Sequence, residues 1–94
     1  MSDRIYRFHA QIQPVPEKGG AYIAVPFDIR KEFGKGRVAV RVFFDGLPYD
    51  GSIVNMGVKH PDGSVCYVIG LLKSIRERLG KGPGDEVEVL VYPR

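Results

Sequence analysis

The sequence predicts a mainly β fold: a small, partly open barrel with two short helices and an internal pseudo-two-fold repeat. Three observations predict it. Apolar and polar residues alternate with period two in several short runs. Glycine and proline cluster between those runs, which is the composition of tight turns. One stretch, "IRKEFGKGRVAVRV" from Ile29, is nearly repeated as "IRERLGKGPGDEVEVLV" from Ile75.

Residues 5–13, "IYRFHAQIQ", put Tyr6, Phe8, Ala10 and Ile12 on one face of a half-buried strand, with Arg7, His9, Gln11 and Gln13 on the other. The segment 14–20, "PVPEKGG", reads as a loop, and 21–25, "AYIAV", as a short buried strand. Pro26 has no N–H to donate, so it stops that strand, and proline suits the first turn of a helix. Residues 26–33 then read as a two-turn helix with Ile29 and Phe33 on one face, closed by Gly34 as a left-handed cap. So short a helix is stable only when docked on a sheet.

Residues 37–44, "RVAVRVFF", alternate strongly and predict a strand. Adjacent Phe43 and Phe44 must then face opposite sides, and the outward ring needs a cover, for which "GLPYDG" is the nearest segment. Asp45-Gly46 reverses the chain. A less regular extended segment follows through Ile53, Val54 and Met56. Residues 59–64, "KHPDGS", have the order of a hairpin turn. The strand "VCYVIG" spans 65–70, and a second helix spans 71–79 with Ile75 and Leu79 inward and Gly80 as cap. "EVEVLVY" at 86–92 is the last strand, and 93–94 are a tail.

The repeat sets Ile29 on Ile75, Arg30 on Arg76, Phe33 on Leu79 and Gly34 on Gly80. After the insertion Pro83-Gly84-Asp85, it sets Val38, Val40 and Val42 on Val87, Val89 and Val91. The units run over about 21–44 and 65–92 of one domain, 1–94. Neither unit can bury its helix and both strands alone, whereas two could close on each other and remove exposed edges.

Strand, short helix ending in Ile-Arg-x-x-Phe/Leu-Gly, then strand resembles the swapped-hairpin element of the AbrB and MazE class of DNA-binding proteins and antitoxins, in which two chains build a double-split β-barrel. A wider resemblance covers nearly the whole chain. "YIAVPFDIRKEFG", "RVAVRVFFDGLPYDGSIVNMG" and "YVIGLLKSIRERLGKGPGDEVEVLV" are similar to the family called domain of unknown function 1905. That resemblance implies a double-split β-barrel, no established activity, and in some relatives a neighbouring domain of the bacteriocin-resistance type.

The 94 residues fit one domain, and the single cysteine, Cys66, excludes an intrachain disulfide and fits a reducing cytoplasm. No apolar h-region opens the chain, and no run approaches the roughly 18 apolar residues that span a bilayer. The net charge of +3 tolerates nucleic acid without implying it.

For chemistry, the residues offer little. Asp45, Asp50 and Asp62 precede glycine and Asp85 follows one, which reads as turn chemistry rather than paired-acid catalysis. His9 and His60 sit on a polar strand face and beside a turn, and neither pairs with a nucleophile-like serine. No Cys/His cluster exists for a metal. The glycines of "GKGPGD" follow a helix instead of preceding one, the wrong order for a phosphate loop. Catalytic, cofactor and metal residues are therefore expected to be absent. The remaining lead is cationic. Arg30, Lys31, Lys35 and Arg37 cluster in one half, and Lys73, Arg76, Lys81 and the neighbouring Arg78 in the other. Such clusters suit phosphates, although Glu77 after Arg76 breaks the pattern of the DNA-binding relatives. The leading expectation is a non-catalytic binding or interaction module with an unidentified partner. A DNA-binding pseudo-dimer is the alternative, and a small enzyme is the least supported.

Overall fold

The first strand determines how the sheet closes. In the computed structural model, which describes residues 5–15 and 19–94, the expected single strand is two: β1 (Tyr6–Gln11) and β2 (Gln13–Pro14). Inward and outward residues alternate along β1 as the sequence requires. At Ile12 the chain bends. Its N–H donates to the carbonyl of Asp85 and its carbonyl accepts from Gly84, both at 2.8 Å, and its side chain is 1% exposed. Up to this residue the chain pairs with one neighbour, and beyond it with another.

The remaining elements are β3 (Ala21–Ala24), α1 (Ile29–Phe33), β4 (Val38–Phe44), β5 (Leu47–Val54), β6 (Val68–Gly70), α2 (Lys73–Leu79) and β7 (Glu86–Pro93). The sheet order is β1-β7-β4-β5-β6-β3-β2, with every pair antiparallel. Its two ends, β1 and β2, are consecutive pieces of one backbone. The sheet therefore curls into a nearly closed seven-stranded barrel, with one seam where β1 and β3 form no ladder. Side chains bridge what the backbone does not. Phe27, just after β3, stacks on Tyr6 with ring centroids 4.2 Å apart and meets Phe8 edge-on at 6.4 Å. Phe33 of α1 approaches Tyr6 at 6.1 Å.

The core is aliphatic apart from the rings of Phe44 and Tyr67. Ile23, Ile29, Val40, Val42, Phe44, Ile69, Val89 and Val91 are all 0% exposed. No polar or charged residue is buried among the described residues, so the interior contributes hydrophobic burial and packing but no buried polar network.

Two ladders have related registers. β3 and β6 are centred on Ile23 opposite Ile69, and β4 and β7 on Val42 opposite Val91. The sequence repeat sets Val42 on Val91 and, extended back from Ile29 on Ile75 without a gap, Ile23 on Ile69. Both helices end on a left-handed glycine, Gly34 at φ 68° and Gly80 at φ 67°, a conformation that costs glycine nothing.

Several boundaries differ from the sequence reading. The first helix begins at Ile29, because Asp28 is its cap, accepting from the Arg30 N–H at 2.8 Å, and Phe27 is committed to the Tyr6 stack. Pro26 lies outside the helix, and α2 likewise starts at Lys73. The segment called irregular is the eight-residue β5, paired along its first seven residues with β4. Asp50 belongs to that strand and forms an ion pair with Arg41 at 2.8 Å, so it is not a turn residue. Of the strand expected at 65–70, only Val68–Gly70 is a ladder strand, while Val65 makes an isolated bridge with Lys59. The expected tail joins the ladder: Pro93 pairs with Val40, and the Arg94 N–H donates to the Ala39 carbonyl. Phe43 does face outward, and the edge of Tyr92 covers it at 5.5 Å. The middle of the expected 14–20 loop lies outside the described residues.

Candidate functional site

Helix α2 places two cations on one side. Lys73 and Arg76 are three residues apart and so share a helical face, while Ile75 points into the core. That face borders an open groove of about 430 Å³. Its apolar lining comes from Val15 beyond β2, Ala21 of β3, Tyr49 of β5, and Met56, Leu71 and Leu72 outside the strands and helices. Met56 and Leu72 are 46% and 50% exposed, so the groove opens through an apolar rim.

Arg76 distinguishes this groove from the rest of the surface. It is half-buried, and its Nη2 donates to the carbonyl of Gly19 at 3.2 Å. Its Nε is sheltered from solvent and has no acceptor, the one such buried side-chain polar atom among the described residues. An unpaired buried donor on a charged group is costly, so the guanidinium is short of a partner.

Two glycines shape the walls. Gly70 ends β6 with ordinary backbone geometry, and a Cβ placed there would meet no atom within 4 Å. Gly51, on β5, is required by its neighbour, since a Cβ there would sit 2.5 Å from the Tyr49 ring. The missing side chain at Gly51 therefore lets Tyr49 fold down and stack on Phe44, with centroids 6.3 Å apart. That placement makes Tyr49 one wall of the groove.

The seven cations read from the sequence do not act as one set. Arg30, Lys31, Lys35 and Arg37 are exposed. Lys73 is exposed at the groove, and Arg76 is half-buried in it. Lys81 is committed to the fold: its Nζ contacts Asp45 Oδ2 at 2.5 Å and donates to the Glu86 carbonyl at 2.7 Å. Asp45 sits at φ 49° in the β4–β5 turn, and its other oxygen accepts from the Glu88 N–H at 2.8 Å. The Lys81 hydrogen bond holds the Asp45 carboxyl below its ordinary range, aided by the Glu88 N–H and opposed by burial.

A second, polar cavity of about 330 Å³ is lined by Asp28, Lys31, His60, Asp62 and Ser64. The Ser64 hydroxyl donates to Asp62 at 2.6 Å, and the Ser64 N–H donates to the same oxygen at 2.9 Å. Those two bonds lower the Asp62 carboxyl and define a turn. The serine is thus oriented by a turn carboxylate. Among the described residues, no group of three or more His, Cys, Asp or Glu side chains could hold a metal ion. Cys66 is buried, and burial pushes its thiol up, away from a reactive thiolate.

The sequence reading included Lys73 and Arg76 but missed Tyr49, Met56, Gly70 and Leu72. One signal was available: a glycine closing the apolar run "YVIG" with no turn to make. Geometry and topology define a small, nearly closed β-barrel protein with one apolar groove bearing a sheltered arginine. Within that class, the chain belongs to the family described as domain of unknown function (DUF1905), whose model matches residues 8–91. No curated protein matches it. Among the described residues, no helix is long and apolar enough to cross a membrane.

Proposed function

We propose that this chain is a non-catalytic binding module whose site is the groove beside α2. The observation that carries this reading is Arg76, a charged group with a sheltered, unpaired N–H at the edge of an otherwise apolar concavity. Small-molecule sites have this make-up: apolar walls provide most of the affinity, and a few polar groups fix orientation. The groove volume of about 430 Å³ lies within the usual range for such sites. Binding is preferred to catalysis because the one hydroxyl in the polar cavity, that of Ser64, donates to a turn carboxylate instead of a general base. A screen of small fragments by amide NMR tests the reading. Hits should shift Ala21, Gly70, Leu72 and Arg76 together, and hits confined to other surfaces would overturn it.

A second reading keeps one favourable observation. Arg30, Lys31, Lys35 and Arg37 are exposed and, among the described residues, have no carboxylate partner. That patch suits a duplex-DNA-binding pseudo-dimer of the AbrB type, built from a duplicated unit. The two ladders centred on residues that the repeat equates support the duplication. Such a protein should bind duplex DNA with an affinity that falls steeply with salt. The absence of a mobility shift at low salt removes the DNA reading and leaves the groove reading standing. The single, buried Cys66 fits a cytoplasmic setting for either reading.

A further inference from the structure

We infer that the groove takes a small organic acid: one carboxylate joined to an apolar chain. This rests on the reading of the groove as a binding site and names what it would bind.

Three features point to that class. The first is charge. Lys73 and Arg76 line the groove, and among the described residues no carboxylate lines it. A guanidinium presents its donors as a planar fork, and a carboxylate matches that fork with two parallel hydrogen bonds. Arg76 has committed Nη2 to Gly19, and its Nε has no acceptor. Nε itself is too sheltered for a groove ligand to reach, so an incoming carboxylate would meet the guanidinium at its Nη end, beside Lys73.

The second feature is the rest of the wall. Val15, Ala21, Tyr49, Met56 and Leu72 are apolar, and methionine adapts its shape to what it touches. An ion without a chain would leave this surface wet and unused. A chain without a charge would leave Arg76 unpaired. Six apolar residues, Leu71 among them, line the groove against two cations, so the ligand it suits is mostly hydrocarbon with one anionic end.

The third feature is Gly70. Its backbone conformation is open to any residue, and a Cβ there meets nothing within 4 Å. Glycine in a strand weakens it and commonly marks a close approach by another molecule. Among the described residues, neither a turn nor a protein contact at Gly70 calls for glycine. Its effect is to keep the groove open where β6 meets the segment leading to α2.

The repeat sharpens the assignment. It sets Arg76 on Arg30, yet Arg30 is exposed while Arg76 is half-buried with an unmade bond. The sheltered arginine is therefore particular to the second copy of the repeated stretch, although both ends of the chain contribute walls to the groove.

The test titrates the intact chain with sodium octanoate, with octan-1-ol and with sodium acetate, read by amide NMR and calorimetry. Octanoate should bind one site and shift Gly70, Leu72 and Arg76. It should bind at least about tenfold more tightly than octanol, the value of one charge-assisted bond pair. Acetate should bind more weakly still. Arg76→Gln should cancel the preference of octanoate over octanol. Gly70→Val fills the groove with a good strand former, and should abolish octanoate binding without lowering the melting temperature. If octanol binds this groove as tightly as octanoate, the acid assignment is wrong while the groove remains a binding site. If octanoate binds but Gly70→Val binds it equally well, the location is wrong. If neither chain-bearing probe shifts any groove residue, both this inference and the reading beneath it fall.

Discussion

Asp45 occupies a left-handed backbone position, at φ 49°, that most side chains avoid and that Asp and Asn tolerate. It holds the β4–β5 turn to β7 through the Glu88 N–H and to Lys81 through its other oxygen. Asp45→Asn keeps the backbone preference and removes the charge, so it isolates the ionic part of this clamp. The variant should lose about 1 kcal/mol at neutral pH, less than a fully buried pair would cost because both side chains are partly exposed. The acid limb of stability should change with it. The folded carboxyl titrates below the unfolded value of about 3.9, so its contribution is complete well above that pH and drains away as pH falls through the folded value. Urea midpoints taken between pH 6 and 2.5 should fall more steeply in the parent than in Asp45→Asn. Parallel curves would show that the clamp contributes nothing.

The seam between β1 and β3 is the weak line among the elements, because aromatic contacts replace backbone hydrogen bonds there. Phe27→Ala should cost about 2–3 kcal/mol, less than a fully buried ring would, since Phe27 is half-buried. The loss should be local. Amide exchange should accelerate in β1, at Tyr6 and Phe8, well before it does across β4 and β5, whose ladder is continuous. Uniform acceleration along every strand would mean that the seam is not a separate opening unit. The sequence foretold these elements unevenly, for physical reasons. Strict alternation in β4 and β7 made both strands plain. β5 carries Pro48, Asp50 and Gly51, residues that punctuate chains, so its alternation was obscured. Yet Asp50 pairs across the strand with Arg41, and Gly51 clears room for Tyr49. The bend at Ile12 could not be read at all, because an isoleucine between glutamines looks the same whether or not the strand changes partners there. Pro26 misled for a related reason: Asp28, two residues later, made the better cap, and Phe27 was needed at the seam.

Across the whole molecule, the nearly closed barrel and the groove have different origins. Closure follows from antiparallel ladders whose centres, Ile23 with Ile69 and Val42 with Val91, fall on residues that the sequence repeat equates. The groove lies where the two copies of the repeated stretch differ: Leu72 where the first has Pro26, Gly70 where it has Ala24, and Arg76 half-buried where Arg30 is exposed. Cation clusters seen in the sequence therefore said little about the site, because they do not reveal burial. Lys81 became part of a turn, and Arg76 became, among the described residues, the one sheltered donor without an acceptor. That donor can be observed directly. In the ¹⁵N–¹H spectrum of arginine side chains, addition of octanoate should move the Arg76 Nε–Hε resonance, saturably and at one-to-one stoichiometry, while that of Arg30 stays in place. An Arg76 resonance that does not move while other signals saturate, or one that moves in step with Arg30, would contradict the account.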